Sequence, residues 1–156
     1  MTGRADFENQ LAAVLGRWGN PGTVENTLSI WRTIEVDAGV IATIAALRRG
    51  GIGCHLASNQ HAQRARYMTD VLGYDVVFDR TFFSCRVGFA KPDRAYFDHV
   101  LEELALPAQD VLFIDDVAAN VASARDAGIR SVHFAANAGA TALVAYLAEH
   151  GIRITS

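Results

Sequence analysis

The sequence predicts an α/β domain of Rossmann-like type, a parallel sheet flanked by helices. Two observations carry the prediction. From Ile52 onward short apolar runs alternate with segments of helical period, the rhythm of β/α units. The chemistry-bearing residues also stand directly after those runs or ahead of a helical segment, where α/β sheets present ligand-binding groups. At 156 residues, 51% hydrophobic and 20% charged, the chain is long enough for one ordinary core.

The N-terminal part reads as helices. Phe7, Leu11, Val14, Leu15 and Trp18 recur at helical spacing, predicting a helix from about Arg4 to Trp18 that the turn residues Asn20-Pro21-Gly22 end. Thr23 is a natural N-cap for a second helix with Leu28, Trp31 and Ile34 on one face. A third helix turns Val40, Ile41, Ile44 and Leu47 inward and stops at Gly50-Gly51. The period then changes. Ile52 to Ala57 is expected as a strand, Ala62 to Leu72 as a helix and Asp75 to Phe78 as a second strand. A helix from Arg94 to Leu104, a strand from Val111 to Ile114, a helix from Val117 to Ala127 closed by Gly128, and a strand from Ser131 to Phe134 complete the alternation. Thr141 to His150 reads as a final helix, and Ile152 to Thr155 as an edge strand. Residues 1–35 are thereby set apart as a helical unit from an α/β core of residues 36–156.

Charge narrows the function. A net charge of −3 offers no basic stripe to neutralise nucleic-acid phosphates, so nucleic acid is not an expected partner. No apolar run reaches the roughly 20 residues that span a bilayer, and the first residues lack a signal peptide's apolar stretch, so a cytoplasmic protein without membrane contact is expected. Cys54 and Cys85 read as buried thiols without chemistry.

Three segments carry candidate chemistry. Asp115 and Asp116 follow four apolar residues, so a buried strand would deliver two adjacent carboxylates to its C-terminal end, where hard cations take oxygen ligands. Asn120 follows one helical turn later. Helix capping is the competing role for an Asp at this point. Lys91 is the only lysine, the other 13 basic residues being arginine. A compact ammonium before Pro92 suits anionic phosphoryl oxygens, though a loop lysine in solvent is also open. Ser58 and Asn59 end a strand and precede a helix, where a hydroxyl and backbone N–H groups converge either on an anion or on a helix cap.

Taken together, Leu56-Ala57-Ser58-Asn59, the run from Ser84 through Gly88 to Lys91-Pro92-Asp93, and Phe113-Ile114-Asp115-Asp116 through Asn120 resemble three successive motifs of the haloacid dehalogenase superfamily, particularly its phosphatase members. The resemblance covers roughly Val36 to Phe134. It implies magnesium-dependent hydrolysis of a small phosphate ester through an aspartyl phosphate. Ser58 would hydrogen-bond the transferring phosphoryl group, Lys91 would balance its charge, and Asn59 would add polar contacts. Asp116 would ligate Mg2+, with Asp115 supporting the metal shell and Asn120 supporting the site. Dehalogenation fits less well, because the acidic pair resembles the phosphatase branch. The order of these residues also argues against a response-regulator receiver, whose acidic pair lies near the start of the chain.

The family's opening strand, ending in Asp-x-Asp, has no counterpart here: no Asp-x-Asp occurs in the sequence. The first of those carboxylates is the nucleophile, so little or no turnover is expected from this chain alone. The alternative is a noncatalytic member that binds phosphate, a metal or a protein. The resemblance also places the absent strand mid-sheet, between those ending at Ser58 and Asp115, and makes the N-terminal helices a remnant of the family's cap. Unpaired edges there are costly. Those strands could close together, another segment could insert, or a second molecule could pair with them; a homodimer is the expectation.

Overall fold

The computed structural model describes residues 7–19, 23–135 and 137–154. The expected Asn20-Pro21-Gly22 turn, the helix start at Arg4, the Trp31 side chain and the end of the edge strand at Thr155 lie outside the described residues.

Helix α1 (Phe7–Arg17) packs on α2 (Val24–Trp31). Thr23 caps α2, its hydroxyl accepting the Asn26 N–H at 3.1 Å. Ile34, expected on the face of α2, lies beyond its end and packs instead against Ala65, Met68 and Phe83. Asp37 caps α3 (Ala38–Arg49), its carboxylate accepting the Gly39 and Val40 N–H groups.

The core alternates as expected, with shifted boundaries. Strand β1 (His55–Ser58) leads to α4 (Ala62–Asp70), the short helix α5 (Tyr74–Val77), β2 (Arg80–Phe83) and the short helix α6 (Ser84–Val87). Then come α7 (Arg94–Leu104), a 3-10 turn at Ala108–Asp110, β3 (Leu112–Asp115), α8 (Ala118–Asp126), β4 (Arg130–His133) and α9 (Gly139–Glu149).

The strand expected at Asp75–Phe78 is a helical turn, and the strand lies at Arg80–Phe83. The β-branched Val76 and Val77 favoured the strand reading. One local feature and one distant partner override it. Gly73 adopts φ 67°, a left-handed conformation that starts the turn. The Arg48 guanidinium then donates to the Val76 and Val77 carbonyls at 2.6 and 2.8 Å, satisfying them where a ladder would otherwise be needed. Ile52 and Cys54 likewise precede β1 rather than open it. Ile152 and Ile154 form no strand and pack beside Leu47, Leu143 and Leu147.

The sheet is divided. Among the described residues β1 pairs only with β2, and β3 only with β4, each in parallel. β1 and β3 have not closed together, and no described strand stands between them. Helices cover both faces. Phe82, Tyr96, Phe97, Val100, Ala124 and Ile129 form one apolar layer, against which Ala57 and Phe113 pack. Leu47, Leu143 and Leu147 form another, joined by Cys54, Leu112 and Ile114. The first layer draws residues from both half-sheets, and the second takes Leu112 and Ile114 from β3 and Cys54 from just ahead of β1.

Candidate functional site

The site forms where the C-terminal ends of β1 and β3 approach each other, because the loop after α6 returns Lys91 between them. Gly88, at φ 85°, closes α6 in the left-handed conformation that glycine adopts without a Cβ penalty. Asn59 then fastens the loop: its side-chain oxygen accepts the Lys91 N–H at 2.9 Å, and its Nδ2 donates to the Lys91 carbonyl at 2.7 Å. The following Lys91–Pro92 peptide bond is cis, and the Asp93 carboxylate caps α7 through the Ala95 N–H.

Held in this way, the Lys91 ammonium donates to the Ala57 carbonyl of β1 at 2.8 Å and to the Asp115 carboxylate of β3 at 2.5 Å. Both side chains of the ion pair are only 7% exposed. The Phe113 ring centroid lies 5.3 Å from Nζ, adding an aromatic face to the cation's surroundings. The other Asp115 oxygen accepts the Val117 N–H at 2.8 Å and Asn120 Nδ2 at 2.9 Å. A buried carboxylate with an ammonium and two N–H donors is fully satisfied. Asp115 thus acts as hub, receiving Lys91 from one loop and Asn120 from α8.

Asp116 differs from its neighbour. It is exposed, and its carbonyl accepts a hydrogen bond from His133 Nε2 at 2.9 Å. Ser58 ends β1, where its hydroxyl accepts Gln60 Nε2 at 2.9 Å. Its hydroxyl proton is left to donate elsewhere. The structure therefore brings Lys91, Asp115 and Asn120 into direct contact, joins Asn59 to them through the Lys91 backbone, and sets Ser58 and Asp116 at the ends of the two flanking strands.

Three residues at the site were not anticipated from sequence. Gln60 bonds Ser58, and its N–H donates to the Ser84 hydroxyl at 3.0 Å. Ser84 is wholly buried, which ties α6 to the turn after β1. Tyr96, also wholly buried, donates its hydroxyl to the Phe82 carbonyl at 2.6 Å. Burial pushes its phenol well above the usual range, and the Asp115 charge adds to the rise against a backbone hydrogen bond with Ser58. Tyr96 had a signal only as a core position, since it shares a helix face with Phe97 and Val100; Ser84 opened a run that carries the family resemblance but had no signal for its bond to Gln60, and Gln60 had none.

A magnesium ion, which the family resemblance implies, meets an incomplete donor set. Asp116 offers an exposed carboxylate, but both Asp115 oxygens are engaged. No group of three or more His, Cys, Asp or Glu side chains converges among the described residues. Hard divalent cations take six or more oxygens, several of them commonly from water, so these donors alone make a poor site.

Residues 2–128 match the family of haloacid dehalogenase-like hydrolases. Among characterised proteins, the chain is 26% identical over 130 residues to a sesquiterpene phosphatase of Aspergillus oryzae, covering 82% of this chain and 65% of that one. It is 50% identical over 58 residues to a drimenol cyclase of Aspergillus calidoustus, covering 37% of this chain and 11% of that one. The chain thus spans less than two thirds of either relative. Among solved structures, a HAD family enzyme of Bacteroides thetaiotaomicron in complex with magnesium and inorganic phosphate superposes with a TM-score of 0.77 at 19% identity, covering 91% of this chain and 74% of that one. At that identity the likeness speaks for the fold.

Proposed function

Because the chain belongs to the haloacid dehalogenase-like hydrolases, we propose that its site binds the phosphoryl group of a small phosphate monoester. The observation that carries the reading is the buried Lys91 ammonium, held between the Ala57 carbonyl, one residue before Ser58 on β1, and the Asp115 carboxylate at the end of β3. A dianionic phosphoryl group entering there would meet a fixed cation and a hydroxyl donor. Gln60, by donating to the Ser58 oxygen, leaves the Ser58 proton free for a phosphoryl oxygen. Asn59 holds the lysine loop in place, so the cation needs little rearrangement on binding.

Turnover is another matter. Hydrolysis through an aspartyl phosphate needs a carboxylate free to attack phosphorus. Asp115 is engaged by three donors, and the sequence has no Asp-x-Asp. The reading is therefore a binding half-site that does not turn over by itself. Magnesium chemistry is not assigned to these residues, because their donors are too few. The relative named as a sesquiterpene phosphatase favours an ester with an apolar alcohol. Phe89 and Val117, exposed two residues before Lys91 and one after Asp116, support the same preference.

The test is titration with inorganic phosphate, followed by the amide resonances of Ser58, Asn59 and Lys91, alongside a magnesium-dependent aryl phosphate assay. The expected result is saturable shifts that Lys91→Ala abolishes, with no turnover above buffer. Turnover in the unaltered chain that Lys91→Ala removes would overturn the half-site reading. Absence of saturable shifts would overturn phosphate binding itself.

A further inference from the structure

Two amide side chains stand next to each other after β1 and hold different groups. Asn59 spends both ends of its amide on the Lys91 backbone. Gln60 reaches back instead, its Nε2 donating to the Ser58 hydroxyl oxygen at 2.9 Å. The Gln60 peptide is itself clamped. The wholly buried Ser84 hydroxyl accepts the Gln60 N–H at 3.0 Å and donates to the Gln60 carbonyl at 3.3 Å. The next residue, His61, caps α4 by accepting the Arg64 N–H at 3.3 Å. The Gln60 amide is thus launched from a fixed backbone onto Ser58.

That bond decides what Ser58 can offer a ligand. A hydroxyl carries a single proton, and a Gln60 N–H occupying a lone pair leaves that proton for another acceptor. Lys91 adds an ammonium, which can only donate; Ala57 and Asp115 take part of its capacity and leave the rest. Ser58 and Lys91 together therefore present donors and no acceptor. A bare ligand oxygen is served by both, whereas a ligand proton finds no partner in this pair. A carboxylate in place of the Gln60 amide would reverse the hydroxyl. Ionised Glu only accepts, so Ser58 would turn its proton to it and show a lone pair to the ligand.

We propose that Gln60 is the specificity-determining residue of the phosphoryl site: acting through Ser58, it makes the site take tetrahedral dianions whose oxygens only accept hydrogen bonds. A phosphate monoester dianion and sulfate both belong to that class. Hydrogenphosphate differs from them by one proton, which the site does not read. Ser84 is the positioning residue behind Gln60, holding the peptide from which the amide reaches Ser58. Because Ser84 opens α6 and Gly88 closes it ahead of the Lys91 loop, the same short helix supports both donors. The inference rests on the phosphate-site reading and deepens it.

The test compares sulfate with inorganic phosphate on the full chain in mildly alkaline buffer, where sulfate is a proton-free dianion and phosphate is hydrogenphosphate. Affinities are read from the Asn59 and Lys91 amide resonances. The unaltered chain should bind the two anions within about 3-fold of each other, and Ser58→Ala should weaken both by about 10-fold. Gln60→Glu should weaken both through its charge, but sulfate at least about 10-fold more than phosphate, because only hydrogenphosphate can donate to the reversed hydroxyl. Combining Gln60→Glu with Ser58→Ala should erase that discrimination, which charge repulsion or a general loss of structure would leave untouched. Equal weakening of the two anions by Gln60→Glu, or discrimination that survives Ser58→Ala, would overturn the proposal while the phosphate site stands. So would a strong preference of the unaltered chain for hydrogenphosphate. Binding of neither anion to the unaltered chain would overturn the phosphate-site reading and this inference with it.

Discussion

Replacing Lys91 with methionine removes a cation that joins the two half-sheets while keeping most of the side-chain volume. The pair it forms with Asp115 is 7% exposed on each side, so breaking it belongs to the buried class, where loss of one partner costs about 3–5 kcal/mol. Asp115 keeps the Val117 N–H and Asn120 Nδ2, which places the cost at the lower end, about 3 kcal/mol. Loss of the donor to the Ala57 carbonyl acts in the same direction. With a urea slope of roughly 2 kcal/mol/M, the unfolding midpoint should fall by about 1.5 M. Arg80→Met, which breaks the exposed pair with Glu103, is the control and should cost less than about 1 kcal/mol. Adding Asp115→Asn to Lys91→Met should cost less than the sum of the two single changes, because the uncompensated charge is gone. If Lys91→Met cost no more than Arg80→Met, the ammonium would not be a buried bridge and the reasoning would be refuted.

Other perturbations probe the same region. Asn59→Ala removes both bonds to the Lys91 backbone and should lower stability by about 2 kcal/mol in urea unfolding, with a large change in the Lys91 amide resonance. Tyr96→Phe strands the buried Phe82 carbonyl and should cost about 1–2 kcal/mol by the same measurement. Because the Tyr96 pKa is raised in the fold, its contribution is present below the unfolded value near 10 and fades as pH rises toward the folded value; ultraviolet titration should show one tyrosine ionising only with unfolding. The Cys54 N–H and then Arg48 hold the Asp79 carboxyl below its usual range, so its contribution is present above about 3.9 and is lost as pH falls through the folded value. The acid limb of a stability–pH curve should flatten in Asp79→Asn.

Much of the site was legible for chemical reasons. Asp115 and Asp116 stood out because adjacent carboxylates rarely follow a buried apolar run without a task. Lys91 stood out by being alone among arginines. What escaped were roles set by distant partners. Val76 and Val77 look like strand residues until Arg48, far back in the chain, takes their carbonyls. Asn59 reads as a site or capping residue, yet its amide is spent on the Lys91 backbone. Gln60 carries no local pattern, and its bond to Ser84 exists only because α6 returns to the end of β1. The divided sheet was foreseeable only through resemblance to a known family, since nothing in local periodicity says which strands are neighbours.

The central claim is that, among the described residues, β1 and β3 each carry one paired and one open edge, facing each other across Lys91. Residue-by-residue amide exchange on the full chain tests it most directly. The account predicts alternation: Leu56, Ser58, Phe113 and Asp115 protected, and His55, Ala57, Leu112 and Ile114 exchanging much faster. Uniform protection along both strands in a monomer would contradict it, because the facing edges would then already be paired.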